Sequence, residues 1–170
     1  GDPVGYLNGQ LSKDYPQIVN SANFGDLLFK GSATPKYYGS FINTFSYRGF
    51  ELSCMFTYKF GYSFRRSSIV YYQLLLNQTL AHPDYDLRWE KAGDEKSTNV
   101  PSFQYPINFS RDLFYNYSEV LVEKGDHIRL KDIRFSYLFS LSKKKEQKNN
   151  AEVFCLINNI GLVWKANKYE

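Results

Sequence analysis

The sequence predicts an all-β fold, an antiparallel sheet of long strands, and three observations carry that expectation. From Gly49 to Phe64, "GFELSCMFTYKFGYSF", every even position is apolar or aromatic (Phe50, Leu52, Cys54, Phe56, Tyr58, Phe60, Tyr62, Phe64), and every odd position except Met55 is polar or Gly. A period of two lays such residues along one face of a strand, whereas steps of about 100° per residue would scatter them around a helix. Composition points the same way: 18% of the 170 residues are aromatic, with 15 Tyr and 14 Phe against one Met and two Trp, and rings suit a pleated surface. The third observation is rhythm, since long alternating segments come in pairs joined by short turns and are separated by very long connections.

Residues 1–34 mix Gly, Asp, Asn, Ser and Pro with little periodicity and read as an outer loop segment, with a short helical turn between positions 15 and 28. Residues 35–66 read as a β-hairpin: Tyr37, Gly39, Phe41, Asn43, Phe45 and Tyr47 share one parity, and Arg48-Gly49 supplies a tight turn into the stretch quoted above. At about 3.3 Å per residue that second strand would run roughly 50 Å, when soluble strands usually hold about 3 to 10 residues. A bilayer crossing needs only about 9 to 11 tilted residues. Residues 67–126 read as a long extracellular loop, in which Ile69 to Leu76 is an apolar run legible as strand or helix. Residues 127–165 form a second hairpin, with Ile133, Phe135, Tyr137, Phe139 and Leu141 on one parity, opposite Asp132, Arg134, Ser136 and Ser140. Its last strand places Phe154, Leu156, Ile160, Leu162 and Trp164 on one side, less cleanly because Val153, Ile157 and Val163 lie on the other. Short turns on one side and long loops on the other are the asymmetry of outer-membrane barrels, so the pattern predicts a sector of a transmembrane β-barrel wall. On that reading the Arg48-Gly49 and lysine-rich turns face the periplasm.

The net charge of +4 is mild, and "KKKEQK", Lys143 to Lys148, reads as a solvated turn between strands, so no nucleic-acid partner is expected. Cys54 and Cys155 belong to no metal-ligand or disulfide spacing. His82 and His127 stand apart, without a nucleophile elbow, an HExxH or a phosphate loop, so neither catalysis nor a cofactor is expected. Asp84, Asp86, Glu90, Asp94 and Glu95 cluster but match no calcium loop and read as a solvated acidic tract; no metal is expected. Trp89 with Tyr85 and Tyr105 are the candidate ligand-binding rings, suited to stacking on a sugar or clamping a peptide, against the plainer reading that they pack the loop.

"SKDY", "PKYYGSFINTFSYRGFELS", "DYDLRWEKAGDE" followed by "NVPSF", "RDLFYNYSEVLVEKGDHIRLKDIRFSY" and "NNIGLVWKANKY" occur in this order along nearly the whole chain. Together they resemble the C-terminal region of SusC/RagA-type TonB-linked outer-membrane proteins. The resemblance implies a plugged barrel of about 22 strands in the outer membrane of a Gram-negative bacterium. It further implies import of glycan or peptide fragments with energy from TonB, under a surface lipoprotein lid of the SusD type. A complete member has a plug, a TonB-contacting segment and many more strands than 170 residues hold, and it continues past the point where this sequence stops at "WKANKYE". The chain is therefore expected to be a sector of wall with two outer loops.

Two readings follow. In the first, Phe50, Leu52, Phe56, Tyr58, Phe60, Tyr62 and Phe64 face outer-membrane lipid, and Glu51, Ser53, Thr57, Lys59 and Ser63 face the lumen. In the second, the same stripe is the core of a soluble all-β module that recognises carbohydrate or protein through residues 83–106. A lone sector has two open edges and an uncovered stripe, so self-association is expected, with the stripe buried by a rolled sheet or by a second copy.

Overall fold

The computed structural model describes residues 1–77, 82–141 and 150–169; the lysine-rich turn lies outside them. In chain order they form β1 (Gly5–Leu7), β2 (Gln10–Ser12), α1 (Tyr15–Ser21), β3 (Tyr37–Tyr47), β4 (Phe50–Phe60), β5 (Ser63–Arg65), α2 (Tyr71–Asn77), α3 (Phe109–Tyr117), β6 (Val122–Lys124), β7 (His127–Ser140) and β8 (Asn150–Lys165). Single 3-10 turns occur at Phe24–Asp26, Pro83–Leu87, Asp94–Lys96 and Glu119–Leu121. Two compact units result, Gly1–Lys30 with Arg65–Glu123, and Gly31–Phe64 with Lys124–Glu170. No helix among the described residues is long and apolar enough to cross a membrane, which says nothing about strands.

The second unit is a four-stranded antiparallel sheet in the order β3-β4-β7-β8. Arg48 (φ 47°) and Gly49 (φ 86°) both adopt left-handed backbone, the signature of the two-residue hairpin turn whose twist matches the flanking strands. A Cβ on Gly49 would meet the Leu138 carbonyl oxygen at 2.7 Å, so both space and dihedral demand glycine. The sheet is open, with β3 and β8 at its edges, and among the described residues no rolled core covers the stripe: Phe45 is 65% and Phe50 46% exposed.

Three local features correct the simple alternation. The predicted strand to Phe64 stops at Phe60, giving 11 residues, or about 36 Å. Gly61 turns with φ 74°, and Asp126 Oδ1 accepts the Gly61 and Tyr62 N–H groups at 2.7 and 3.4 Å, taking the donors a continued ladder would need. Tyr62 instead sets its hydroxyl 3.1 Å from His127 Nδ1, and Phe64 falls in the separate strand β5, so neither extends the stripe. Within β7, apolar parity changes from Ile128 and Leu130 to Ile133 and Phe135; a register shift, with Met55 opposite Asp132 and Phe56 opposite Leu130, leaves Lys131 as the extra residue and keeps all four on one face.

The last strand departs furthest from expectation. Phe154 and Leu156 lie opposite Ser136 and Arg134 on the polar face, while Val153, Cys155 and Ile157 continue the apolar face opposite Tyr137, Phe135 and Ile133. Trp164 rejoins that face opposite Ile128 because two irregularities intervene, one of them at Asn159, whose left-handed φ of 55° accommodates extra chain.

The first unit is more ordered than a loop reading of 1–34 and 67–126 implies. Asn8-Gly9, with φ of 52° and 78°, makes a hairpin turn between β1 and β2. Asp14 caps α1 by accepting the Gln17 N–H at 3.2 Å, and Asn108 caps α3 by accepting that of Arg111 at 3.1 Å. Ile69, Tyr71 and Val100 form a buried cluster with Leu74, Tyr85 and Ile107 against it, and Tyr15, Tyr115 and Leu121 are also buried. The ambiguous run at 69–76 resolves into helix from Tyr71, and Ile69 and Val70 before it belong to no strand.

Polar groups stitch this unit together. Buried Arg111 donates from Nε to Asp2 at 3.1 Å and from Nη2 to the Ser102 carbonyl at 2.9 Å. Arg66 donates to Asp84 at 2.7 Å, Ser68 hydrogen-bonds the same carboxylate, and the Ser68 and Tyr115 hydroxyls are 2.9 Å apart. Tyr71 donates to the Pro101 carbonyl at 2.6 Å, and burial pushes its pKa up to about 12. Because the folded-state value lies above the unfolded one, its contribution is complete below about pH 10 and is lost as pH rises to about 12, a loss of about 2–3 kcal/mol. Burial raises Tyr15 and Tyr115 as well and deepens the fall. Alkaline titration of this unit's stability is expected to show that decline, with a shallower slope in Tyr71→Phe; equal slopes would remove Tyr71 from the account.

Candidate functional site

The wall presents two chemically distinct faces. Cross-strand partners share a face, so the apolar face carries Tyr37, Phe41, Phe45 and Tyr47 of β3, Phe50, Leu52, Cys54, Phe56, Tyr58 and Phe60 of β4, and their partners on β7 and β8. Phe41 stacks on Phe56 at 5.0 Å near its middle. Rings with polar atoms collect at its two ends. Tyr47 and Tyr137 lie at the hairpin end, where Phe50 meets Tyr137 at 4.3 Å; Tyr37, Tyr58 and Trp164 lie at the other, where Phe60 meets Trp164 at 6.1 Å.

Tyr37 and Tyr47 are ten residues apart on β3. That is about 33 Å along the strand, and at a tilt of about 40° it becomes about 25 Å of height, the span of the apolar band between aromatic girdles on a membrane barrel. Tyr37, Tyr47, Tyr137 and Trp164 are assigned to strand faces by the sequence, and only the register collects them at the two ends of the apolar face, although Tyr at both ends of an alternating segment is a readable signal.

The opposite face is polar along β4, with Glu51, Ser53, Thr57 and Lys59. Arg134 bridges Glu51 at 3.3 Å and Glu152 at 2.5 Å, tying three adjacent strands, and lies over the Phe154 ring at 5.1 Å. Thr44 donates to Ser53 at 3.2 Å on the same face.

The candidate ring residues of the first unit have separate surroundings. Tyr85 packs on the Ile69, Tyr71 and Val100 cluster with the Arg88 guanidinium 4.1 Å from its ring. Trp89 donates its backbone N–H to the Val100 carbonyl at 3.0 Å and its indole N–H to Glu95 at 3.2 Å. Tyr105 stands 82% exposed. The acidic tract turns inward on its own backbone. Asp94 accepts the Lys91 and Glu90 N–H groups, which hold its carboxyl below the usual range; Glu95 is lowered by its own N–H, then by the Trp89 indole and the Gly93 N–H. Among the described residues no three His, Cys, Asp or Glu side chains converge on a metal position.

An open antiparallel sheet of long strands, apolar between two rings of Tyr and Trp and polar behind, has the architecture of a piece of barrel wall. The fold is similar to that of solved structures of the RagAB peptide transporter (TM-score 0.60, 19% identity, covering 99% of this chain and 17% of that one). It is also similar to the RagAB peptide importer in its 'closed-closed' state (0.55, 20%, 97% and 18%) and its 'open-open' state (0.53, 20%, 96% and 17%). The chain thus spans less than a fifth of the length of those chains, and at such identity the likeness establishes fold alone. No protein-family model matches the sequence, and no curated protein matches it.

Proposed function

We propose that this chain is a sector of wall and outer segments from a TonB-dependent, outer-membrane importer of the SusC/RagA type. Such an importer would take up peptide or glycan fragments and work with TonB and a SusD-type surface lipoprotein, within a barrel of about 22 strands. The observation that carries the reading is the uncovered apolar face bounded by two aromatic girdles about 25 Å apart. That same openness favours it over a soluble binding module, which would need the stripe as a core. On this reading Tyr85, Trp89 and Tyr105 belong to the external surface, and Tyr105, the most exposed of the three, is the ring that would meet cargo or the lipoprotein.

Trp164 sits on a girdle and Trp89 in the outer segment, and the chain has no other Trp. In Trp89→Phe, the remaining indole is expected to be quenched by lipids brominated near the headgroup, and the protein is expected to float with vesicles in a density gradient. Retention in the aqueous fraction with an unquenched Trp164 would overturn the membrane reading.

A further inference from the structure

Asn8-Gly9 is the single Asn-Gly pair in the sequence, and the fold sets it at the tip of the β1–β2 ribbon with both residues exposed. Asn8 stands in left-handed backbone, φ 52°, and a Cβ built on Gly9 would have nothing within 4 Å, so the space beside Gly9 is open. Little holds the ribbon shut. Each strand has three residues, and the paired Tyr6 and Leu11 are both largely exposed. A lone two-stranded ribbon is marginal in water, and such elements open at a fraction of the cost of global unfolding.

The other left-handed asparagine has a different setting. Asn159, φ 55°, lies within the 16-residue β8 and precedes the β-branched Ile160, and its side-chain oxygen accepts from Arg129 at 3.1 Å. Asn20 and Asn23 precede Ser21 and Phe24. Only at Asn8 do a side-chain amide, a following glycine and a short exposed ribbon coincide.

We infer that Asn8 is a site of spontaneous covalent modification, in which its side-chain amide is exchanged for a carboxylate with water as co-reactant, and that opening of the ribbon sets the rate. The Gly9 backbone nitrogen gives its proton to solvent and attacks Asn8 Cγ. The new N–Cγ bond closes a five-membered imide as the Cγ–Nδ2 bond breaks and Nδ2 leaves as ammonia. Water then opens the ring. Addition at Cγ breaks the new bond and leaves aspartate; addition at the main-chain carbonyl carbon of Asn8 breaks the original peptide bond and leaves isoaspartate, whose chain runs through Cβ and Cγ. The net change is water in and ammonia out, with nothing oxidised or reduced. Glycine matters because a side chain at the second position would crowd the attacking nitrogen and restrict its backbone. Ring closure also needs nitrogen and Cγ aligned at contact distance, so Asn8 must leave the conformation that the two-residue turn imposes. Isoaspartate adds a carbon to the main chain of that turn, and the turn fixes the pairing of Tyr6 with Leu11, so the product cannot restore the ribbon. The inference goes beyond the importer reading and does not depend on what surrounds the wall.

The test is incubation of the whole chain, folded in detergent micelles, at mildly alkaline pH, followed by peptide mapping with mass spectrometry and an assay of released ammonia. Asn8 is expected to convert several-fold faster than Asn20, Asn23 or Asn159, with isoaspartate in excess of aspartate. Asn8→Asp keeps a residue suited to the turn and is expected to lose the fast phase of ammonia release. Leu11→Gly removes an exposed side chain and weakens the ribbon without touching the buried cluster. It is expected to speed conversion at Asn8 and leave the other asparagines unchanged, with far-UV circular dichroism confirming that the chain stays folded. Conversion at Asn8 no faster than at Asn159, or ammonia release unchanged in Asn8→Asp, would overturn the site. An equal rate in Leu11→Gly would overturn control by the ribbon.

Discussion

Arginine in place of Phe56 is expected to cost about 2–4 kcal/mol of folding into a bilayer, whereas arginine in place of Tyr47 costs about 0–1 kcal/mol. Both residues lie on the apolar face, but Phe56 pairs with Phe41 near the centre of the band and Tyr47 ends it at the hairpin turn. A guanidinium at the midplane has no water and no counter-charge within reach, while one at the girdle extends its head into the interface. Part of the Phe56 cost is the loss of its 5.0 Å stack on Phe41, worth about 0.5–1.5 kcal/mol. Phe56→Ala isolates that part. Urea titration of the lipid-folded chain measures all three, and equal costs for the two arginine variants would contradict a membrane depth gradient along the strand.

Asp84→Ala is expected to destabilise the first unit by about 3–5 kcal/mol, since breaking a buried ion pair from one side strands the opposite charge in low dielectric. The Arg66 and Asp84 side chains are 11% and 8% exposed and 2.7 Å apart, and the same carboxylate also accepts from Ser68. Arg66→Met in the Asp84→Ala background is expected to recover part of the loss, because the apolar replacement no longer has to be desolvated as an ion. Native-state proteolysis of residues 65–123 gives the readout. A double variant less stable than either single one would show that packing, not charge, holds this corner.

Much of the wall was legible because period-two patterning and hairpin chemistry are local. Phe50 to Phe60 alternate with Met55 as the exception, Tyr37, Phe41, Phe45 and Tyr47 share one parity, and Arg48-Gly49 fixes the register of the two strands through backbone dihedrals that only a short list of residues adopts. The Asn8-Gly9 hairpin carried the same signal, which a loop-like composition masked. Less legible was where alternation ends. Gly61 in a strand pattern is ambiguous by itself, and it becomes a terminator because Asp126, 65 residues away in sequence, accepts its N–H. The face of β8 was out of reach for a related reason: both parities are apolar, so its partner β7 chose which side Phe154 and Val153 would take.

The candidate site divides along the same line. The stripe from Phe50 to Phe60 was plain in the sequence, whereas Tyr37, Tyr47, Tyr137 and Trp164 became two girdles only when four strands were set in register. Tyr85 and Trp89 read from the sequence either as ligand-binding rings or as loop packing, and the first unit gives one to the Ile69, Tyr71 and Val100 cluster and ties the other to Glu95. Sequence by itself determined strand identity, hairpin connectivity and an apolar face with a polar reverse, because each depends on residues adjacent along the chain. Tertiary structure alone decided where strands stop, how bulges restore a common face and which charges meet, because those depend on hydrogen bonds and contacts between segments far apart in sequence.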